Sequence, residues 1–347
     1  MTSDTLSPHP ADPRRRPPRR GTRTLLGAAL AAGALLAAGC SGPSASNSPT
    51  VTSGGGSGAG GGAMHVAVIS HGTAGDAFWN VVKNGAEAAG KQLGVQVDYN
   101  SDGDPGAQAK LIDNAVAQHV DGLVVSMANP DALKTSIQNA AKAGIPVVTI
   151  NSGGTRSTEF GAIAHVGQDE TIAGQEAGKR LAAAGKSKVL CVIHEAGNVG
   201  LNQRCDGVRQ GFGGQVQNLQ VDINNPTDVQ SRIKGALASD QAIDAVLTLN
   251  PQVASSAVNA VGEAHAKAVV ATFDLNADVA SAISSGQVLF AVDQQQYEQG
   301  YLPIVLLKLY HDNANTVGGG RPVLTGPGFV DKSNVDNVAK YAQRGTR

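Results

Sequence analysis

From residue 65 onward, short β-branched apolar runs alternate with longer stretches whose apolar residues recur every three or four positions. The short runs predict strands at 65–70, 95–99, 122–126, 146–150, 161–166, 188–193, 217–222, 244–249, 268–273 and 288–292. The periodic stretches predict helices at 76–92, 106–119, 130–143, 169–184, 200–212, 226–239, 251–264, 275–285 and 295–312. Val66 to Ile69 is apolar without interruption, the pattern of a strand covered on both faces. Strands alternating with helices predict βαβ units, hence an α/β fold built on parallel sheets. Gly94, Gly122 and Gly144 punctuate helix ends, and Pro105, Pro130, Pro226 and Pro251 fall at or near helix starts. Ten strands in a chain of 347 residues fit two domains better than one wide sheet.

In open α/β sheets, ligands bind outside the carboxyl ends of the strands, so those ends hold the candidate functional residues. After the first strand come His71, a glycine-punctuated turn, Asp76 at a helix N-cap position, then Phe78 and Trp79, the only tryptophan. Aromatic rings there either cover the C–H face of a sugar or polyol or pack as a core pair. Asp76 serves as N-cap and can also accept from a hydroxyl. Asn151 and Ser152 follow a strand as a polar pair, or as an Asx-turn. Four more strand ends carry His194-Glu195, Asn250, Asp274 and Gln294, with Asp293 competing for the last place. A carboxylate accepts two hydroxyl bonds at once, which makes Asp274 the leading single candidate.

Strand, turn, adjacent aromatics and then Val82-Lys83-Asn84-Gly85-Ala86 resemble the start of the ribose-binding-like periplasmic solute-binding proteins of sugar ABC importers. The resemblance runs through almost the whole chain from Met64. It implies two Rossmann-like lobes, each a parallel sheet flanked by helices, joined by three chain crossings near Gly167, Asp293 and Val317. The first lobe would hold 64–167 and 293–316, and the second 168–292 and 317–347, with 321–330 adding to the second. The resemblance implies that Phe78 and Trp79 stack on sugar, that Asn250 and Asp274 bond its hydroxyls, and that Gln294 is the hinge glutamine. At Asn151-Ser152 an Asp-Arg-type pair of the family is missing, which leaves the identity of the sugar open. Alignment on Gly207 puts Asn202 where the family commonly offers an arginine, while Arg204 two places on suits an ion pair within the lobe. The ligand would be a neutral sugar or polyol, the partner an ABC importer permease, and the working form a monomer. A sensor presenting its closed form to a signalling receptor is the alternative use of the same fold.

The first 40 residues change the picture of where the protein works. Six arginines between positions 14 and 23 precede an apolar stretch from Leu25 to Ala38, too short for a comfortable membrane span. It ends in Leu36-Ala37-Ala38-Gly39-Cys40, resembling a bacterial lipobox, so 1–40 is read as a lipoprotein signal peptide with Cys40 lipidated. An ordinary signal peptide cut near Ala38 is the other reading, and Arg19-Arg20 leaves twin-arginine export open. Residues 41–63 are uncharged and rich in Gly, Ser and Ala, a tether with a root-mean-square span of roughly 25 Å. The expected location is extracytoplasmic, lipid-anchored to the outer face of the cell membrane. Without the six Arg and two Asp of the leader, 21 basic and 26 acidic side chains remain, a net of −5. That argues against nucleic acid as a partner.

The chemistry that is missing narrows the function further. His194-Glu195 has Asn198 where a zincin helix needs a second histidine. The stretch 180–187 misses a phosphate loop at its first glycine, no Gly-x-Ser-x-Gly occurs, and the eight histidines have no metal-ligand spacing. No enzyme activity, cofactor or metal is expected. Outside the cytoplasm Cys191 and Cys205 can pair, or remain two buried thiols.

Overall fold

The computed structural model describes residues 63–347, so the leader, Cys40 and residues 41–62 of the tether lie outside the described residues. The first sheet contains β1 (His65–Ser70), β2 (Gln96–Ser101), β3 (Gly122–Ser126), β4 (Val147–Ile150) and β5 (Ala164–Gly167). They alternate with α1 (Ala77–Leu93), α2 (Pro105–Ala117) and α3 (Pro130–Lys142). The second sheet contains β6 (Lys188–Ile193), β7 (Gln215–Gln220), β8 (Ala245–Thr248), β9 (Val269–Phe273) and β10 (Val288–Asp293). Its helices are α4 (Glu170–Ala183), α5 (Val199–Phe212), α6 (Pro226–Ser239), α7 (Pro251–Glu263) and α8 (Ala277–Ser285). Then α9 (Gln296–Asn313), β11 (Val323–Leu324), β12 (Gly328–Asp331) and α10 (Val335–Gln343) close the chain. The strand orders are β11-β5-β4-β3-β1-β2 and β12-β10-β9-β8-β6-β7. All pairings are parallel except β10 with β12. The architecture is two α/β lobes, each a mostly parallel sheet flanked by helices, as the resemblance implies.

Period-two alternation sorts each central strand between two cores. Val66 and Val68 face the core under α1 and α9, while Ala67 and Ile69 face α2 and α3. In the second lobe Val189, Cys191 and Ile193 face α4 and α5, while Leu190 and Val192 lie on the opposite side with α6, α7, α8 and α10. Cys191 of β6 and Cys205 of α5 are joined by a disulfide and fully buried, stapling helix to sheet. A loop of that length stabilises by about 3 kcal/mol in the chain-entropy picture. Each lobe also presses one helix pair together through glycine. A Cβ built on Gly300 of α9 would lie 1.9 Å from the Val82 carbonyl oxygen of α1, and one on Gly207 of α5 would lie 2.3 Å from the Thr171 oxygen of α4.

The differences from the sequence reading gather at the edges. β7 runs two residues earlier than expected, because at a polar sheet edge its pairing with β6 from Lys188↔Gln215 decides the register, not alternation. β5 starts at Ala164, after two short 3-10 turns at Gly154–Arg156 and Thr158–Phe160. Gly122 opens β3 instead of ending a helix, lying close against the Leu307 side chain. β11 and β12 are too short to stand out in the sequence, while α10, missed in the reading, does carry Val335, Val338, Ala339 and Ala342 at helical spacing. The third crossing is therefore corrected: β11 adds to the first sheet beside β5, and the chain crosses through 325–327, not near Val317.

Candidate functional site

Eight strand ends converge on a cavity of about 600 Å³, and six of them carry residues singled out in the sequence. β1 delivers His71 and, through its turn, Asp76, Phe78 and Trp79; β4 delivers Asn151. From the other lobe β6 delivers His194 and Glu195, β8 delivers Asn250, and β9 delivers Asp274. Gln294, just past β10, joins them where the chain returns to the first lobe. Asn202 is the exception and a correction. It does not line the cavity but lies along α5, donating to the Asn198 carbonyl oxygen at 3.0 Å. Arg204, two residues on, projects from the opposite face of α5 and does reach the cavity wall. Asp293, the competitor of Gln294, is turned away and fully buried against Arg347 at 2.7 Å.

The first-lobe wall is built around the N-terminus of α1. The Asp76 carboxylate accepts from the Phe78 backbone N–H at 2.8 Å, an N-cap that also faces the cavity. Trp79 packs edge-on against Phe78 and against the His71 ring, with centroids at 5.0 and 4.6 Å. It is 7% exposed, part of the core on one side and of the cavity wall on the other. Gly72 has to be glycine for this, since a Cβ there would sit 2.4 Å from the indole.

Asn151 and Asp274 hold equivalent places in the two lobes. Both follow a central strand in left-handed backbone, φ 60° and 71°. Both donate their backbone N–H to a neighbouring strand, to Val166 O and Val292 O. Asn and Asp tolerate that conformation better than most residues. Gln294 links the pair: its amide donates to Asp274 Oδ1 at 2.6 Å, and its carbonyl accepts from Asn151 Nδ2 at 3.1 Å. A second set of bonds joins the lobes beside the cavity. Ser152 Oγ donates to Asn198 Oδ1 at 3.0 Å, and the Val199 N–H donates to Ala128 O at 3.0 Å.

Burial dominates the electrostatics. It pushes the Asp274 carboxyl up to about 7, against the pull of Arg204 and Gln294, and the Asp76 carboxyl up to about 6, against bonds from the Phe78 and Trp79 backbone. Burial lowers His71, partly offset by Glu195, and takes His194 down to about 3 with help from Arg204 and His71. Both imidazoles are therefore neutral at pH 7. Burial opposes the Arg204 charge, but Glu170 holds it above its ordinary value through bonds of 2.6 and 3.0 Å. His194 Nδ1 has no hydrogen-bond partner among the described residues. The sequence reading passed over Asn198 as a wall residue, along with Asp102, Asp104, Asp222 and Asn224. These last four, three aspartates and an asparagine, follow the carboxyl ends of β2 and β7, so the strand-end rule applied to edge strands would have found them.

Neutral imidazoles, carboxylates, amides and an aromatic corner can bond and cover a polyhydroxylated ring. Among the described residues no group of three His, Cys, Asp or Glu is placed to hold a metal ion, and no helix is long and apolar enough to cross a membrane. Comparison with known proteins agrees with this picture. The periplasmic binding protein domain matches residues 66–314. The ribose import binding protein of Haemophilus influenzae is 25% identical over 252 residues, 70% of this chain and 84% of its own length. A carbohydrate transporter from Acidothermus cellulolyticus, solved in complex with myo-inositol, is 44% identical, covering 82% of this chain and 100% of that one with a TM-score of 0.81. A solute-binding protein from Actinobacillus succinogenes with bound D-allose, 22% identical with a TM-score of 0.71, shares the fold. The chain thus belongs to the periplasmic binding protein domain family, as a ribose-binding-like solute-binding protein of the sugar ABC importers and not an enzyme.

Proposed function

We propose that the protein captures a small sugar or cyclic polyol in the cavity between its lobes and delivers it to an ABC importer permease. The observation that carries this is the make-up of the wall. Each lobe contributes hydrogen-bonding groups at its strand ends, so a ligand bonds fully only when the lobes are together and thereby favours the closed form. The site residues are His71, Asp76, Phe78, Trp79, Asn151, His194, Glu195, Arg204, Asn250, Asp274 and Gln294. His194 Nδ1, buried without a partner, takes a ligand hydroxyl. A neutral cyclic polyol such as myo-inositol leads the candidates, because the 44%-identical protein was crystallised with it. The lobes turn about the three crossings as a monomer, held outside the cell membrane by lipid on Cys40. Thermal-shift screening of pentoses, hexoses, inositols and linear polyols, followed by calorimetry on the hits, tests the reading. One or more cyclic polyols should raise the melting temperature saturably, and a flat response to the whole panel would sink the proposal.

A further inference from the structure

We infer that this cavity also accepts, and prefers, a polyol that carries an ammonium group: an amino sugar or an aminocyclitol. The inference rests on the reading of the cavity as the ligand site and concerns the charge of what enters it. Six acidic side chains line the wall, Asp76, Asp102, Asp104, Glu195, Asp222 and Asp274, the last only about half ionised at pH 7, against a single cationic side chain, Arg204. That cation is already committed. Its guanidinium forms a two-point pair with Glu170 behind the wall, at 2.6 and 3.0 Å, and lies over the Phe273 ring. What charge remains is shared with Asp274, 3.9 Å from Nη1. No lysine lines the cavity, and the two histidines in it are neutral at pH 7.

Asp76 of the first lobe and Glu195 of the second lie close enough to repel each other, and neither is paired with a lysine or arginine among the described residues. Glu195 accepts from Asn198 Nδ2 at 2.7 Å, lies 3.8 Å from the neutral His71 ring and feels Arg204 only at longer range. Asp76 is nearly buried, and its neighbours Phe78 and Trp79 present ring surface to the same space. Two carboxylates from opposite lobes with aromatic faces beside them form a seat for a cation. An ammonium there would relieve the repulsion that Glu195 exerts on Asp76 and that burial worsens. The remaining hydroxyls would still find Asn250, Asp274 and Gln294. Because the two carboxylates belong to different lobes, the ammonium would also favour the closed form.

The test compares matched ligands by calorimetry at pH 7: myo-inositol with a monoamino-deoxyinositol, and glucose with glucosamine and with N-acetylglucosamine. The amines should bind tighter than their hydroxyl parents by on the order of tenfold to a hundredfold, as a charge-assisted bond implies. The uncharged acetamide should lose that advantage. Asp76→Asn keeps a competent helix cap and should cut the amine-to-parent affinity ratio about tenfold, and Glu195→Gln gives the same readout from the other lobe. Equal or weaker binding of the amines, or an unchanged ratio in both variants, overturns the inference while leaving sugar or polyol capture standing. Binding of neither amines nor parents overturns both.

Discussion

Asp274 shows how one residue trades stability against binding. Its carboxylate is buried in left-handed backbone, bonded to Gln294 and 3.9 Å from Arg204. With a folded-state value near 7 against an ordinary value of 3.8, the folded protein holds a proton that the unfolded chain releases between those two limits. Stability contributed by this group is therefore lost as pH rises from about 4 to about 7, and the cost is fully present above 7. Asp274→Asn should lack that component, with a melting temperature less sensitive to pH over this window, while affinity for the polyol falls roughly ten- to hundredfold. Calorimetry beside melting curves at pH 5 and 8 checks both halves, and unchanged affinity in a folded variant would count against the site. Trp79 divides differently, being core on one side and wall on the other. As the only indole it should report ligand by a saturable emission change, and Trp79→Ala should lower both affinity and melting temperature, by about 1.5–3 kcal/mol of lost burial. A variant that lost stability with affinity intact would make Trp79 core alone. Polar type at a strand end was enough to single out Asp274 in the sequence. The dual standing of Trp79 was not legible, because which ring face meets solvent depends on packing over Gly72.

At the scale of elements, helices α5 and α9 make a controlled comparison. α5 starts at the interface between the lobes, where a Cβ on Gly200 would lie 2.6 Å from Ser152 Oγ and 3.3 Å from Ser152 Cβ. Gly200→Val thus adds bulk against the opposite lobe. It should weaken every ligand by a common factor of about ten or more while largely sparing the melting temperature of the unliganded protein. Small-angle scattering should show the ligand-induced decrease in radius reduced, and normal closure would refute the contact. Gly300 of α9 faces α1 within one lobe, where an added Cβ meets the Val82 carbonyl at 1.9 Å. Gly300→Val should instead lower stability, by about 1–3 kcal/mol or more, since backbone cannot move aside as a hydroxyl can. Thermal denaturation separates the two. The helices themselves were readable from periodicity, capping Asp or Asn and prolines at N1. What each helix end touches across the lobes was not, because Asn198 and Ser152 are 46 residues apart.

For the whole molecule, the lobes communicate through three crossings, at 167–169, 293–295 and 325–327, and through the Asn151–Gln294–Asp274 bonds between them. If Cys40 anchors the protein, mass spectrometry of native material should find a lipidated peptide beginning there, and Cys40→Ala should release protein into the medium with ligand binding unchanged. A native N-terminus elsewhere would refute the anchor. Local pattern alone determined the α/β class, the order of the ten main strands and nine main helices, and the strand ends that carry most of the cavity wall. It could do so because burial on both sheet faces writes itself as uninterrupted apolar runs, and because parallel topology puts every loop of one kind at one end of a sheet. Only the tertiary structure decided the edge registers, the place of β11 in the first sheet, the third crossing and the exclusion of Asn202. Asn202 is excluded by the rotation of α5. The others rest on pairings between residues distant in sequence, with polar or very short segments on one side. Such segments have no apolar period to announce them and take their place only when a neighbouring strand or lobe supplies the missing hydrogen bonds.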